Sequence, residues 1–407
     1  MTSLLRAIAA LAVLFLALAA GPGAAQPQKP LLVLISIDGF RPDYLDRGVT
    51  PTLSALAAGG VRGEMRPSFP SKTFPNHYTL VTGLRPDRNG IVDNNMYDPA
   101  ITPLEFTMSK REVNKDGRWW NQAEPIWVTA EKAGQHTATM FWPGSDVEIR
   151  GVLPSHWQLF DIKMPAEARA DQALAWLDGP PAERPKLLTL YFDDVDTAGH
   201  HAGPDSPGLN EAAAKVDAAI ARLEAGLKSR GIAANIVVVA DHGMAPIAQD
   251  RRVFADDMLD MTAIRWTTMG AFMALTPVPG HEAEIEKALL QTPHPHMQCW
   301  KKANIPARYH YGKNPRVPAI LCLAETGWEI TNHAYKPKQI DAGDHGFDNF
   351  APEMRAVFIA NGPAFRQGRR LPAFDNVDVY PLLAKLLGVK PQPNDGTLAD
   401  VAPALAD

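Results

Sequence analysis

The chain has 407 residues, 46% of them apolar, with 40 basic against 45 acidic side chains and a formal net charge of −5. This mildly acidic balance carries no basic patch of the kind a nucleic-acid groove needs, so duplex binding is not expected. Only one long apolar run occurs, at the N-terminus, and the rest of the chain is expected to be soluble.

That run reads as a secretory leader. Arg6 supplies the charge, residues 8–20 are apolar and uninterrupted, and Gly23-Ala24-Ala25 offers a small-residue cleavage site. It is short for a membrane span, and a signal anchor is the alternative reading. Cleavage near Ala25 would start the mature chain near Gln26. The chain has no N-x-[ST] sequon and no cysteine at the cleavage site to carry a lipid, and it is rich in Ala, Pro and Arg. The expected destination is therefore the periplasm or the exterior, without a stable membrane anchor.

Five apolar runs without polar alternation follow at residues 31–37, 136–142, 187–192, 235–240 and 355–360, as expected for strands buried on both faces of a parallel sheet. Amphipathic stretches at 51–58, 165–177 and 209–230 fall between them; in the last, Leu209, Ala213, Val216, Ile220, Leu223 and Leu227 recur at helical spacing. The alternation predicts an α/β fold: a doubly wound, mostly parallel central sheet flanked by helices. Residues 250–338 break the pattern with strand, helix, strand and strand content of their own. They are read as a small α+β cap inserted between a first core segment, 26–249, and a second, 339–407. The cap holds both cysteines, Cys299 and Cys322, expected as one disulfide in an oxidising compartment or, alternatively, as two buried thiols.

Polar side chains of a particular type recur where these runs end. Asp38 closes LLVLISIDGF, Asp196 and His200 lie in YFDDVDTAGH, Asp241 and His242 end NIVVVADHGM, and His345 sits in GDHGFDN. In a doubly wound sheet such positions lie beyond the carboxyl ends of the strands, where ligands gather. The D-x-x-x-H spacing can bring Asp196 and His200 to one metal on a helical turn or a tight loop. Any one of these residues reads equally well as a helix cap or a packed histidine, and Asp38 before Gly39 resembles an N-cap. Three aspartates and three histidines together supply ligands for two zinc-like ions. Thr73, in PSFPSKTFPNH, stands where a helix begins, with its hydroxyl where a phosphate would bind; a plain N-cap is the alternative. Metal coordination would make that hydroxyl a nucleophile. The set predicts phosphoryl transfer.

The segments ISIDGFRPDYL, PSFPSKTFPNHYTLVTGLRPDRNGIVDNNMYDP, EPIWVTAEKAGQHTATMFWPGSDVEI, DDVDTAGHHAGPDS, VVVADHGM and DHGFDN resemble the nucleotide pyrophosphatase/phosphodiesterases of the alkaline-phosphatase-like superfamily. The resemblance covers nearly the whole mature chain, and the C-x-P-x-R segment of sulfatases is absent. It implies two zinc ions, one held by Asp196, His200 and His345, the other by Asp38, Asp241 and His242 with Thr73. It further implies that Asn94 and the backbone N–H of Phe74 face a nonbridging phosphate oxygen, that Phe74 and Tyr191 sandwich a nucleobase, and that Trp142 and Asp146 line the same pocket. His77 and His201 have no metal role in this pattern, and Asn95 is a near neighbour of Asn94. The implied activity is hydrolysis of nucleotide phosphodiesters or phosphoric anhydrides to nucleoside 5′-monophosphates through a covalent threonine intermediate. A phosphodiesterase for lipid or choline headgroups, a phosphonate hydrolase and a catalytically silent zinc-binding surface protein are the alternatives.

Overall fold

The computed structural model describes residues 29–336 and 340–406. The leader and its cleavage site lie outside the described residues. At the centre lies β1 (Leu31–Ile37), every residue of which is buried. Parallel neighbours flank it: β5 (Leu187–Phe192) on one side, with Leu34 opposite Thr189, and β6 (Ala234–Val239) on the other, with Leu34 opposite Val237. The sheet continues past β5 through β3 (Thr137–Met140) to the edge strand β4 (His156–Gln158), all parallel. Past β6 it continues through Ala356–Asn361, antiparallel to both β6 and β2 (Val61–Arg66). Two short strands, Arg369–Arg370 and Phe374–Asp375, complete the nine on the outer side of β2.

The expected strand runs are those without polar alternation, and these form the middle of the sheet. β2 was not among them. Its sequence VRGEMR buries alternate residues only, so it has the composition of a half-solvated strand. The three expected helices form at Pro51–Gly59, Ala166–Ala175 and Pro207–Ser229 and pack on one another. A second group, Thr73–Thr82, Ile126–Lys132 and Val379–Leu387, packs around the last of these.

Residues 264–324 carry a separate four-stranded antiparallel sheet in the order Met297–Lys301, Ile320–Ala324, Phe272–Pro277 and Ile264–Thr268. It shares an apolar cluster of its own, including Met273, Leu275, Ile285, Leu289 and Ile320, with the helix Glu282–Leu290. Cys299 and Cys322 face each other across adjacent strands of this sheet and are disulfide-bonded.

Candidate active site and metal centre

Three polar clusters arise where the central strands stop. Asp38 follows β1 directly; Asp241 and His242 follow β6 after Ala240; the helix Asp194–Ala202 begins two residues beyond β5. Strand ends deliver these side chains to one place because β1, β5 and β6 are parallel neighbours and stop at the same level. Asp196 and His200 therefore share one face of a helix at i,i+4, the helical form of the two readings the spacing allowed. Gly39 permits the approach. Its φ is +69°, and a Cβ there would lie 3.2 Å from Asp196 Cα.

All six expected ligands converge. His200 Nε2 lies 3.6 Å from Asp196 Oδ2, and His345 Nε2 lies 3.7 Å from Asp196 Oδ1. His242 Nε2 is 3.4 Å from Asp38 Oδ1 and 3.0 Å from Asp241 Oδ2. Ligand atoms of Asp196, His200 and His345 fall within 4.8 Å of one another, as do those of Asp38, Asp196 and His242. Asp38 and Asp241 also cluster in this way with His77, but both His77 nitrogens are engaged: Nδ1 meets the Thr73 carbonyl at 2.9 Å and Nε2 meets Ser36 Oγ at 2.8 Å. Nδ1 also lies 3.3 Å from Asp241 Oδ2, within ion-pair range of that carboxylate. His201 is exposed and takes no part.

The histidines carry a signature beyond proximity. Nδ1 of His200 meets the Gly343 carbonyl, Nδ1 of His242 the Gly243 carbonyl and Nδ1 of His345 the Ser71 carbonyl, each at 2.9 Å. A carbonyl can only accept, so Nδ1 carries a proton in all three, and Nε2, turned to the cluster, is the nitrogen each ring offers to a metal. Facing these nitrogens, Asp38 Oδ1, Asp196 Oδ1 and Asp241 Oδ2 are buried and accept no hydrogen bond. Buried carboxylate oxygens without donors are costly unless a cation answers them.

The electrostatics agree with a cation site. Burial, then the neighbouring carboxylates of Asp241 and Asp196, push Asp38 well above its ordinary value. Burial also raises Asp196, against the pull of His200 and His242. For Asp241, burial is outweighed by His242 and His77, which hold it well below the carboxylate range. Burial, with His242, Lys72 and His200 as like charges, drives His345 well below the ordinary imidazole value, so it stays neutral with its lone pair free. The donor set of carboxylate oxygens and imidazole nitrogens suits a divalent metal.

Thr73 is the first residue of its helix, not the cap. Lys72 occupies the N-cap position with extended backbone and makes no side-chain capping bond. Released from capping, the Thr73 hydroxyl lies 3.4 Å from His242 Nε2. Asn94, not Asn95, faces this helix start, but its Oδ1 accepts the Phe74 N–H at 2.9 Å. The two donors expected to act side by side on phosphate are thus joined to each other, and the amide bond of Phe74 orients Asn94 with Nδ2 as its remaining donor.

The expected base pocket differs more. Tyr191 is 8% exposed, its ring stands edge-on to His77, and its hydroxyl donates to Asp38 Oδ2 at 2.6 Å. A ring held in this way offers no free face for stacking. Trp142 is buried, with Nε1 on the His77 carbonyl, so it supports the Thr73 helix and does not line an accessible cleft. Asp146 is partly buried, paired with Arg111 at 3.1 Å, and raised by that burial. Phe74 is part-exposed and tilts against Trp120 and Phe106. A second exposed ring, missed in the sequence, is Phe160: 45% exposed, it leans on Tyr191 at 6.0 Å and on Phe141 at 5.2 Å. Its neighbours Leu159 and Ile162 are exposed too, and an apolar cluster of that kind next to an edge strand was the available signal.

Lys72 and Asp344 were missed as well. Lys72 Nζ donates to the His345 carbonyl at 2.6 Å and to Asp344 Oδ1 at 3.3 Å, tying the residue before Thr73 to the loop that carries His345. Gly346, with φ +107°, leaves the room: a Cβ there would sit 2.5 Å from Lys72 Cε.

This fold and this cluster define a metal-dependent hydrolase of the phosphodiester type with an alkaline-phosphatase-like architecture. Residues 32–348 match the family model described as type I phosphodiesterase / nucleotide pyrophosphatase, and the chain belongs to that family. It is 39% identical over 388 residues to an uncharacterized pyrophosphatase/phosphodiesterase of Schizosaccharomyces pombe, covering 91% of this chain and 80% of that protein. It is 37% identical to ectonucleotide pyrophosphatase/phosphodiesterase family member 3 of Bos taurus, covering 90% of this chain and 43% of that longer protein. Among solved structures, murine ectonucleotide pyrophosphatase / phosphodiesterase 5, an inactive threonine-to-alanine form in complex with AMP, superposes with a TM-score of 0.88 at 33% identity, covering 93% of this chain and 100% of that one. Among the described residues no helix is long and apolar enough to cross a membrane.

Proposed function

We propose that the protein is a zinc-dependent nucleotide phosphodiesterase/pyrophosphatase that releases nucleoside 5′-monophosphates by way of a nucleotidylated Thr73. The observation that carries this reading is the convergence of three Nε2 atoms and three unpartnered carboxylate oxygens beside a threonine hydroxyl that caps nothing. Two zinc ions, one at Asp196, His200 and His345 and one at Asp38, Asp241 and His242 with Thr73, would supply Lewis-acid charge to the entering and leaving oxygens.

The residues of the chain do the rest. Thr73 Oγ1 gives up its proton and bonds to phosphorus as the P–O bond to the leaving group breaks in line, the departing oxygen taking up a proton; water then cleaves the threonine–phosphorus ester, returning the hydroxyl and releasing the nucleoside 5′-monophosphate. The start of the Thr73–Thr82 helix gives a positive end for the phosphoryl group, and Asn94 Nδ2 donates to a nonbridging oxygen. Exposed faces of Phe74 and Phe160 contact the base, a reading that replaces Tyr191 by Phe160 because only the latter has a free face. The AMP complex and the inactive threonine-to-alanine form of the murine relative support nucleotide chemistry on a threonine. Residues 250–338 are taken as a cap on a core of 26–249 and 339–407. Export of the chain is supported by the leader-like N-terminus and by the ecto prefix of its bovine relative.

Turnover of p-nitrophenyl thymidine 5′-monophosphate, with and without chelator, tests the reading. Chelator-sensitive release of nitrophenol is expected, and turnover indifferent to chelator would overturn the metal-dependent scheme.

A further inference from the structure

Three residues assigned to the reaction each have an immediate chain neighbour tied to one turn of the antiparallel sheet, two of them directly and the third through Asp344. Thr268, at the end of Ile264–Thr268, donates its hydroxyl to Asp93 Oδ2. Asp93 Oδ1 accepts the Asn94 N–H at 2.7 Å, and Asn94 Oδ1 in turn accepts the Phe74 N–H at 2.9 Å. Three residues on, the Ala271 N–H donates to Asp344 Oδ2 at 3.1 Å, while Asp344 Oδ1 accepts from Lys72. Asp93, Asp344 and Lys72 directly precede Asn94, His345 and Thr73. Thr268, Asp93 and Asp344 are 6%, 3% and 7% exposed, so water cannot readily replace these bonds. Gly270 makes the second contact possible. Its φ is +130°, a Cβ would lie 3.1 Å from Asp344 Oδ2, and its own backbone is pinned to Ile330 by two bonds of 2.9 and 2.8 Å.

We propose that the Thr268–Ala271 turn is a two-point positioning clamp: through Asp93 it sets Asn94, and through Asp344 it sets His345 and the start of the Thr73 helix. The segment thereby fixes the spacing of phosphate donor, metal ligand and nucleophile, and Thr268 is a positioning residue for the reaction. The role in turnover rests on the reading of Thr73 and Asn94 given above; the mechanical link does not. Placement matters at this scale because an error of about 1 Å between reacting groups can cost about a hundredfold in rate.

The test compares Thr268→Val, which keeps the shape and removes the donor, with Thr268→Ser, which restores it. Two readouts are taken on the full, metal-loaded chain: kinetics on p-nitrophenyl thymidine 5′-monophosphate, and hydrogen exchange at the Phe74 amide, whose acceptor is Asn94. Valine is expected to lower kcat about tenfold or more, leave KM and metal content within about twofold, and speed Phe74 exchange about tenfold, with serine reversing both. If valine destabilises the fold too far to assay, Thr268→Ala, which removes the donor without adding bulk, is read in the same two ways. Unchanged Phe74 exchange in Thr268→Val would overturn the clamp whatever the activity. A kcat within twofold of wild type, with only thermal stability lowered, would overturn its catalytic role. A wild type inactive on nucleotide esters whose Phe74 exchange still responds to valine would instead refute the proposed function and leave the clamp standing.

Discussion

Tyr191 Oη donates to Asp38 Oδ2 at 2.6 Å, and this single bond makes an aromatic ring the brace of a site carboxylate. Burial, followed by the charge of Asp38, raises the Tyr191 hydroxyl well above its ordinary value, so it remains a donor throughout the working pH range. Tyr191→Phe should therefore weaken metal retention and lower turnover of nucleotide esters and of bis(p-nitrophenyl) phosphate alike. Phe160→Ala should raise KM for the nucleotide only, by an amount equivalent to about 1–3 kcal/mol of lost base stacking. Parallel kinetics on the two substrates decide it, and a defect confined to the nucleotide in Tyr191→Ala, which removes the ring, would restore the sandwich first expected for it.

Thr73→Ala removes the attacking oxygen while leaving His242 and its carboxylate partners in place. A kcat loss above about 100-fold is expected, worth about 2.7 kcal/mol or more, with metal content unchanged. Retention of activity within about tenfold would assign the attack to another group.

Exhaustive dialysis against a chelator should abolish turnover and zinc should restore it, with two ions per chain by elemental analysis. His345→Ala should bring the count near one, because it removes a ligand from the Asp196 and His200 cluster and none from the other. Full activity with a single ion would exclude the two-metal arrangement.

Burial pushes the Asp93 carboxyl up to about 6, against the Thr268 bond and the Lys72 charge that lower it. Its folded form therefore binds a proton more readily than its unfolded form, whose ordinary value is 3.8. Stability from this group is greatest below the unfolded value and falls as pH rises through the folded one. Urea unfolding of wild type and Asp93→Asn at a series of pH values should give a difference that shrinks from about pH 4 to about pH 6.5 and is flat above. A constant difference would mean that Asp93 ionises as freely in the fold as in the unfolded chain.

Reduction of the Cys299–Cys322 bond, or Cys299→Ser with Cys322→Ser, should lower the stability of the antiparallel sheet by about 3 kcal/mol on the loop-entropy estimate. Thermal unfolding with and without reductant reads this directly.

The sequence exposes what burial forces on it. β1, β5 and β6 are wrapped on both faces and are apolar with no polar alternation, so their ends, and the polar residues placed there, could be found by reading along the chain. Thr73 stood out because a helix start after a proline-rich loop is a local event. β2 escaped because one of its faces is only half-covered, leaving Arg62, Glu64 and Arg66 among its apolar residues. The roles of Tyr191 and Phe160 were not legible because both are aromatic. What separates them is which face the tertiary structure covers. The link from Thr268 to Asp93 joins residues far apart in sequence that have no local pattern in common.

The six side chains proposed as ligands come from the ends of three central strands and from a loop beyond the antiparallel sheet, so no fragment of the chain holds a complete set. On that proposal, full affinity for an ion would exist only once the central sheet has formed and His345 has been returned by the two-residue ladder of Gly343–Asp344 with Ala245–Pro246. Capture of metal is in that sense a checkpoint. By mass action the ion draws chains toward the finished topology, and an arrested folding intermediate with an incomplete ligand set gains little of that stabilisation.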